Sequence, residues 1–238
     1  MEIIADVTNQ TEHAIYLPAI HPMYALGVMQ KASRGLPAGA SISDLNFFKP
    51  RSKFLNLDAG LYSAGLIRNH RTPLPCMVST RTRGKNQTSI VIGDSGGYQI
   101  ATGQLHITPR KREEIFQWLV DTCDLAMTLD VPTMVLNGGK STQYRSFEDC
   151  LMTTMAHLAE FRALGGEHDY FLNVLQGRTL VESDDWYDAV KHYNFYGWAI
   201  SGTQKETLKH LLWRILHLIE DGKFDRDATW LHFLGIRP

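Results

Sequence analysis

Cysteine is scarce: the 238-residue chain carries three, Cys76, Cys123 and Cys150, none close enough to another to form a CxxC pair. Zinc-ribbon spacing is therefore excluded, and isolated thiols fit a reducing compartment. No run of about 18 apolar residues occurs, so no segment reads as a membrane-spanning helix. The opening MEIIADVTNQTEH has acids where a secretory leader needs a basic start and an apolar stretch. The expectation is a cytoplasmic protein with no membrane partner. An excess of one charge is also missing: Lys plus Arg is 24 against 25 for Asp plus Glu, a formal net charge of -1. This excludes a histone-like polycation, although a local basic patch can still meet nucleic acid. Low-complexity linkers and fixed-period repeats are absent. The loosest stretch, 31–52, with Gly35, Pro37, Gly39 and Pro50, reads as a long loop or hairpin excursion, so residues 1–238 are expected to form one domain.

What is present is alternation. Apolar runs at 14–20, 53–60, 89–100, 125–133, 170–177, 197–202 and 230–236 are strand candidates without strict polar alternation, the pattern of a parallel sheet covered on both faces. The run at 89–100 is expected to break at Gly93. Helical spacing fills the gaps. A helix follows Thr108-Pro109 with Ile115, Leu119 and Cys123 on one face. A second, over 144–164, has Leu151, Met155, Leu158 and Phe161 inward. A short third is expected over 184–193, and a fourth over 206–222 with Leu208, Leu212, Ile215 and Ile219 inward. Repeated strand–helix units imply an α/β fold of the TIM-barrel type, in which reactive groups gather where strands end.

Those ends carry Asp58, Asp94, Asp130, Gln176, Ser201-Gly202 and Gly235. One Asp after a strand is commonly a helix cap or an Asx-turn; a series of acids and an amide at successive ends is harder to explain by local structure. The most informative segment is Gly93-Asp94-Ser95-Gly96-Gly97-Tyr98-Gln99. Paired glycines let the backbone approach a flat ligand, Asp94 can manage a proton, and Tyr98 offers a stacking face.

GDSGGYQ resembles the signature of the tRNA-guanine transglycosylase family, DSGG followed by Phe or Tyr and Gln. LAMTLDVP resembles the family's next strand end and places Asp130 on the guanine-like edge, with Val131-Pro132 where Glu-Cys is usual. NVLQG resembles VQGG, putting Gln176 on the base and Arg178 in place of the second glycine. GWAISGT resembles GYAIGGL, with Gly202 giving backbone contacts and Ser201 replacing a glycine. LHFLGIRP resembles YLMGVG, with Leu234 closing one face of the pocket. The matches run over about residues 53–238. The resemblance implies a (β/α)8 barrel with Asp94 as the catalytic acid/base and Ser95, Tyr98, Asp130, Gln176, Gly202 and Leu234 around the base.

The implied activity replaces guanine in a polynucleotide, tRNA or DNA, with a 7-deazaguanine base. In the family an Asp at the eighth strand attacks the ribose C1′, and a Cys/His zinc module follows. Neither is matched in this sequence, so the expectation is a barrel lacking its eighth strand and its C-terminal zinc module, with no metal or other cofactor. Asp225 and Asp227 precede the seventh strand and are poor substitutes for the nucleophile. A fragment, one half of a split enzyme completed by another polypeptide, a homo-oligomer, and a non-catalytic subunit binding nucleic acid or a partner barrel all remain open. Arg81, Arg83, Lys85, Arg110, Lys111 and Arg112 flank the DSGGY segment and are candidate phosphate contacts. In duplex DNA the target base would have to be flipped out of the stack.

Overall fold

The computed structural model describes residues 14–15, 17–21, 24, 35–48, 52–57, 59–71, 90–138, 143–165, 171–201, 207–225 and 229–235. Asp58, Arg81, Arg83, Lys85, Gly202 and Asp227 lie outside the described residues. The chain is α/β, and its paired strands are parallel. It divides into two compact units, Met1–Asp94 with Glu113–Ala126, and Ser95–Arg112 with Met127–Pro238. Among the described residues no helix is long and apolar enough to cross a membrane.

In the first unit β1 (Ala59–Ser63) pairs with β2 (Ile90–Asp94), Ala59 opposite Ile90 and Ser63 opposite Asp94. β2 in turn pairs with Leu125 and Ala126 of β3 (Leu125–Met127). Ile90, Val91 and Ile92 are buried, as a strand covered on both faces requires. The buried Asp124 carboxylate accepts the Val91 N–H at 2.8 Å, and the Asp124 N–H donates to the Val91 carbonyl at 2.8 Å. Ile115, Trp118 and Leu119 of α2 (Pro109–Thr122) and Cys123 after it supply core, with Trp118 tilted against Tyr62 at 5.9 Å between centroids.

Three expectations are corrected here. The run at 14–20 contributes one parallel bridge, Ala19 to Leu61, rather than a strand among its described residues, because only Pro18 and Ile20 exchange hydrogen bonds with Leu61. The run at 53–60 becomes strand only at Ala59; before it, Leu57 turns back to bond the Phe47 carbonyl. β2 does not break at Gly93 but passes through it. A side chain there would collide with Leu119 and lie 2.7 Å from Cys123 Sγ, so this glycine marks close helix packing and not a turn.

The second unit begins with a short helix, α1 (Gly97–Ala101), and the first turn of α2. Past β3 the chain runs beside β4 (Phe171–Leu175): the Thr128 N–H bonds the Leu172 carbonyl at 2.9 Å, and Thr128 Oγ1 accepts the Val174 N–H at 3.3 Å. β4, β5 (Gly197–Ser201) and β6 (Trp230–Leu234) pair in chain order, in parallel. α3 (Phe147–Ala163) starts in a capping box, Ser146 and Asp149 exchanging side-chain and backbone bonds. Its Leu158 and Phe161 are buried as expected. Leu151 and Met155 are only half-buried, because Cys150, Thr154 and His157 take the inward positions.

α4 (Leu180–Val190) starts four residues before the expected 184, because Thr179 Oγ1 caps it by accepting the Glu182 N–H at 3.2 Å. α5 (Thr207–Glu220) forms as expected but presents a different face. Leu208, Leu212 and Ile219 are 67%, 51% and 51% exposed, and Ile215 is half-buried; His210, Arg214 and Leu218 are the buried positions. The reason is polar. The Arg214 guanidinium donates to Ser183 Oγ at 2.8 Å and Asp184 Oδ1 at 2.6 Å, and lies 4.7 Å from the centroid of the Tyr187 ring. This α4 network draws Arg214 inward and turns the leucine stripe outward.

Candidate functional site

The turn after β2 brings the DSGG segment into α1. Gly96 has φ 104, the left-handed region that glycine adopts without strain, and caps the helix. Gly97 opens α1 with its Cα facing a carboxylate: a Cβ there would lie 3.2 Å from Asp130 Oδ1 and 2.9 Å from Pro132 Cγ. The second glycine is therefore required first by Pro132, with Asp130 Oδ1 also in tight contact. Ser95 is fully buried, and its Oγ has no hydrogen-bond partner among the described residues. Tyr98, three residues on, is 58% exposed.

Asp130 sits in irregular buried backbone after β3. Its Oδ2 accepts the Gln176 Nε2–H at 2.7 Å; Asp130 is 4% and Gln176 6% exposed. Gln176 follows β4 directly, so one hydrogen bond joins the end of β4 to the irregular segment beyond β3, across 46 residues of sequence. The amide points at the carboxylate, and the pair sets amide donor and acceptor groups beside carboxylate oxygens within buried surroundings.

Asp94 ends β2 in the first unit, half-buried and opposite Ser63. Leu234 ends β6, half-buried and opposite Ser201 at the end of β5. Arg110 is exposed and Lys111 half-buried in the first turn of α2, while Arg112 pairs with Glu160 of α3. Arg178, which stands where the resembled motif has a glycine, is bonded to Glu182 one turn into α4. Among the described residues no group of three or more His, Cys, Asp or Glu is placed to hold a metal ion.

Sequence reasoning missed two polar side chains of α3, Thr154 and His157. Both are buried, 1% and 3% exposed, and both bond the backbone beside Asp130. Their signal was polar residues three apart among the inward Cys150, Leu158 and Phe161. The His157 ring is pushed down to about 4, first by burial and then by the charge of Arg112. It is therefore neutral at pH 7, with Nδ1–H donating to the Leu129 carbonyl. The same ring lines a cleft of about 260 Å³ with Ile107, Arg112, Tyr144, Asp149 and Thr153. Burial pushes the Cys150 thiol up to about 12, which removes it as a nucleophile.

No protein-family model and no curated protein matches this sequence.

Proposed function

We propose that this chain is a base-exchange transglycosylase of the tRNA-guanine transglycosylase kind, built as a partial TIM-type barrel. It exchanges guanine in tRNA or DNA for a 7-deazaguanine base; none of the segments that resemble the family carries the attacking carboxylate, which this reading leaves unassigned. The observation that carries this reading is the buried Asp130–Gln176 pair set against the Gly96-Gly97 backbone. In this reading Asp130 accepts from the ring N–H and amino groups of the base, Gln176 donates to its carbonyl, the buried Ser95 hydroxyl finds its missing partner on the ligand, and Tyr98 and Leu234 cover the faces. A wrong base leaves these buried groups unpaired, which is how such a pocket discriminates.

The chemistry balances over two displacements. The carboxylate forms a bond to C1′ as the C1′–N9 bond breaks, and guanine leaves with a proton from Asp94. The incoming base then returns a proton to Asp94, bonds to C1′ and expels the carboxylate. Arg110 and Lys111, with Arg81, Arg83 and Lys85, are the phosphate contacts of this reading. The test is release of labelled guanine from tRNA and from DNA on addition of a 7-deazaguanine base, with this chain alone and with a polypeptide carrying the eighth-strand Asp. Release that requires that Asp and is lost in Asp130→Asn is the expected result. Absence of release from either polymer in both settings overturns the proposal.

A second reading, a non-catalytic subunit that docks a partner barrel, is favoured by the outward stripe Leu208, Leu212, Leu216 and Ile219 on α5. It predicts partner binding that is unchanged by Asp94→Asn.

A further inference from the structure

Residues 128–132 are buried, yet they belong to neither a strand nor a helix. Buried backbone outside a ladder must find partners elsewhere, and here α3 provides them on both sides of one residue. The Val131 N–H donates to Thr154 Oγ1 at 2.9 Å, and the Leu129 carbonyl accepts from His157 Nδ1 at 3.2 Å. Thr154 and His157 are three apart, hence on one face of the helix. The residue between the two bonded peptides is Asp130. Its carboxylate is held from the other side by Gln176 at 2.7 Å and by the close approach of Gly97. The adhesion of α3 to the rest of its unit is carried by other side chains, Cys150, Leu158 and Phe161, all fully buried.

We infer that Thr154 and His157 are positioning residues, which aim the Asp130 carboxylate at the ligand by fixing the peptide on either side of it. The inference rests on the reading of Asp130 as the base-contacting acid and goes beyond it, since neither α3 residue would touch the base. A carboxylate that must match a flat ring edge tolerates little rotation, and a second shell of locked hydrogen bonds provides that restraint. The neutral His157 suits the role: its Nδ1–H is committed to Leu129, and its other nitrogen needs no protein partner because the ring borders the cleft.

The experiment compares the wild-type chain with Thr154→Val, Thr154→Ser, His157→Leu and His157→Gln. Two readouts are used: equilibrium binding of free guanine and of a free 7-deazaguanine base, and the side-chain amide NMR signals of Gln176, which report its bond to Asp130 without any ligand. Losing one such bond should weaken base binding about fivefold in Thr154→Val and in His157→Leu. Thr154→Ser and His157→Gln keep a hydroxyl and a donor, and should lie within about twofold of wild type. The Gln176 amide signals should move in the first pair and not in the second. Wild-type affinity together with unmoved signals in Thr154→Val and His157→Leu overturns the inference. If the wild type binds neither base, the reading of the pocket falls, and the Gln176 signals alone then decide the positioning role: unmoved signals reject it. If the Val and Leu variants fail to fold, Ser and Gln variants that bind base fivefold more weakly reject it as well.

Discussion

Acid should destabilise this protein through His157 in particular. The ring is 3% exposed and its folded pKa lies near 4, against 6.5 for a free imidazole. In the unfolded chain the ring takes up a proton below pH 6.5, while in the folded chain it resists until about pH 4. Between those values the unfolded state binds more protons, so stability falls as the pH falls. The loss approaches about 1.4 kcal/mol per pH unit, giving about 2 kcal/mol between pH 7 and pH 5 and about 3 kcal/mol once the folded ring itself is protonated. Because the ring is buried, solvent screening takes little from this figure.

The assay is urea unfolding at pH 7, 6 and 5, comparing wild type with His157→Gln, which keeps a donor for Leu129 but cannot titrate. Tryptophan fluorescence suits the purpose, since Trp186, Trp198, Trp213 and Trp230 all belong to the unit that holds His157. The stability difference, wild type minus variant, should fall by about 2 kcal/mol from pH 7 to pH 5. His232, also pushed down to about 4 by burial, is present in both proteins and cancels. A difference that stays constant across this range would refute the argument, because it would mean that the ring is already free to protonate in the folded state.

Two further outcomes follow from packing. Asp184→Ala should cost more stability than Arg214→Met, about 3–5 against about 1–3 kcal/mol, as the first leaves a fully buried guanidinium with Ser183 Oγ and the Tyr187 ring but without its carboxylate, and the second leaves a half-exposed carboxylate that keeps Trp213 and His217; denaturation midpoints of the two variants check the order. Gly97→Ala should cost about 1–3 kcal/mol by overpacking and, on the proposed reading of the pocket, abolish binding of free guanine, since the new methyl presses on Pro132 and on Asp130 Oδ1; calorimetric titration of wild type and variant with guanine reads the second effect.

The parts of the fold that the sequence made legible are those decided locally. The apolar runs that became β4, β5 and β6, and the proline that opens α2, carry their own signals. The start of α4 was also written locally, in Thr179 and Glu182, but its cap is easily passed over ahead of the acidic run that follows. The site divides in the same way. Gly96 and Gly97 announce a tight backbone, and Asp130 and Gln176 announce polar strand ends. That Gln176 bonds Asp130 across 46 residues, or that α3 grips the peptides beside Asp130, depends on which elements become neighbours, and no local pattern encodes that.

α5 shows the limit most clearly. Its spacing marks Leu208, Leu212, Ile215 and Ile219 as an apolar stripe, and such a stripe is ordinarily the inward face, because burying each one gains about 1.5–3 kcal/mol. Periodicity, however, states only which face is apolar. Direction is decided by what the neighbouring helix offers, and α4 offers Ser183, Asp184 and the face of Tyr187, a set matched to a guanidinium and not to a leucine. Once Arg214 is drawn in, His210 and Leu218, one turn to either side, must follow it, and Leu208, Leu212, Leu216 and Ile219 must turn outward. An arginine within an apolar helix is therefore a signal to ask which acid in the preceding helix could claim it, before the inward face is assigned.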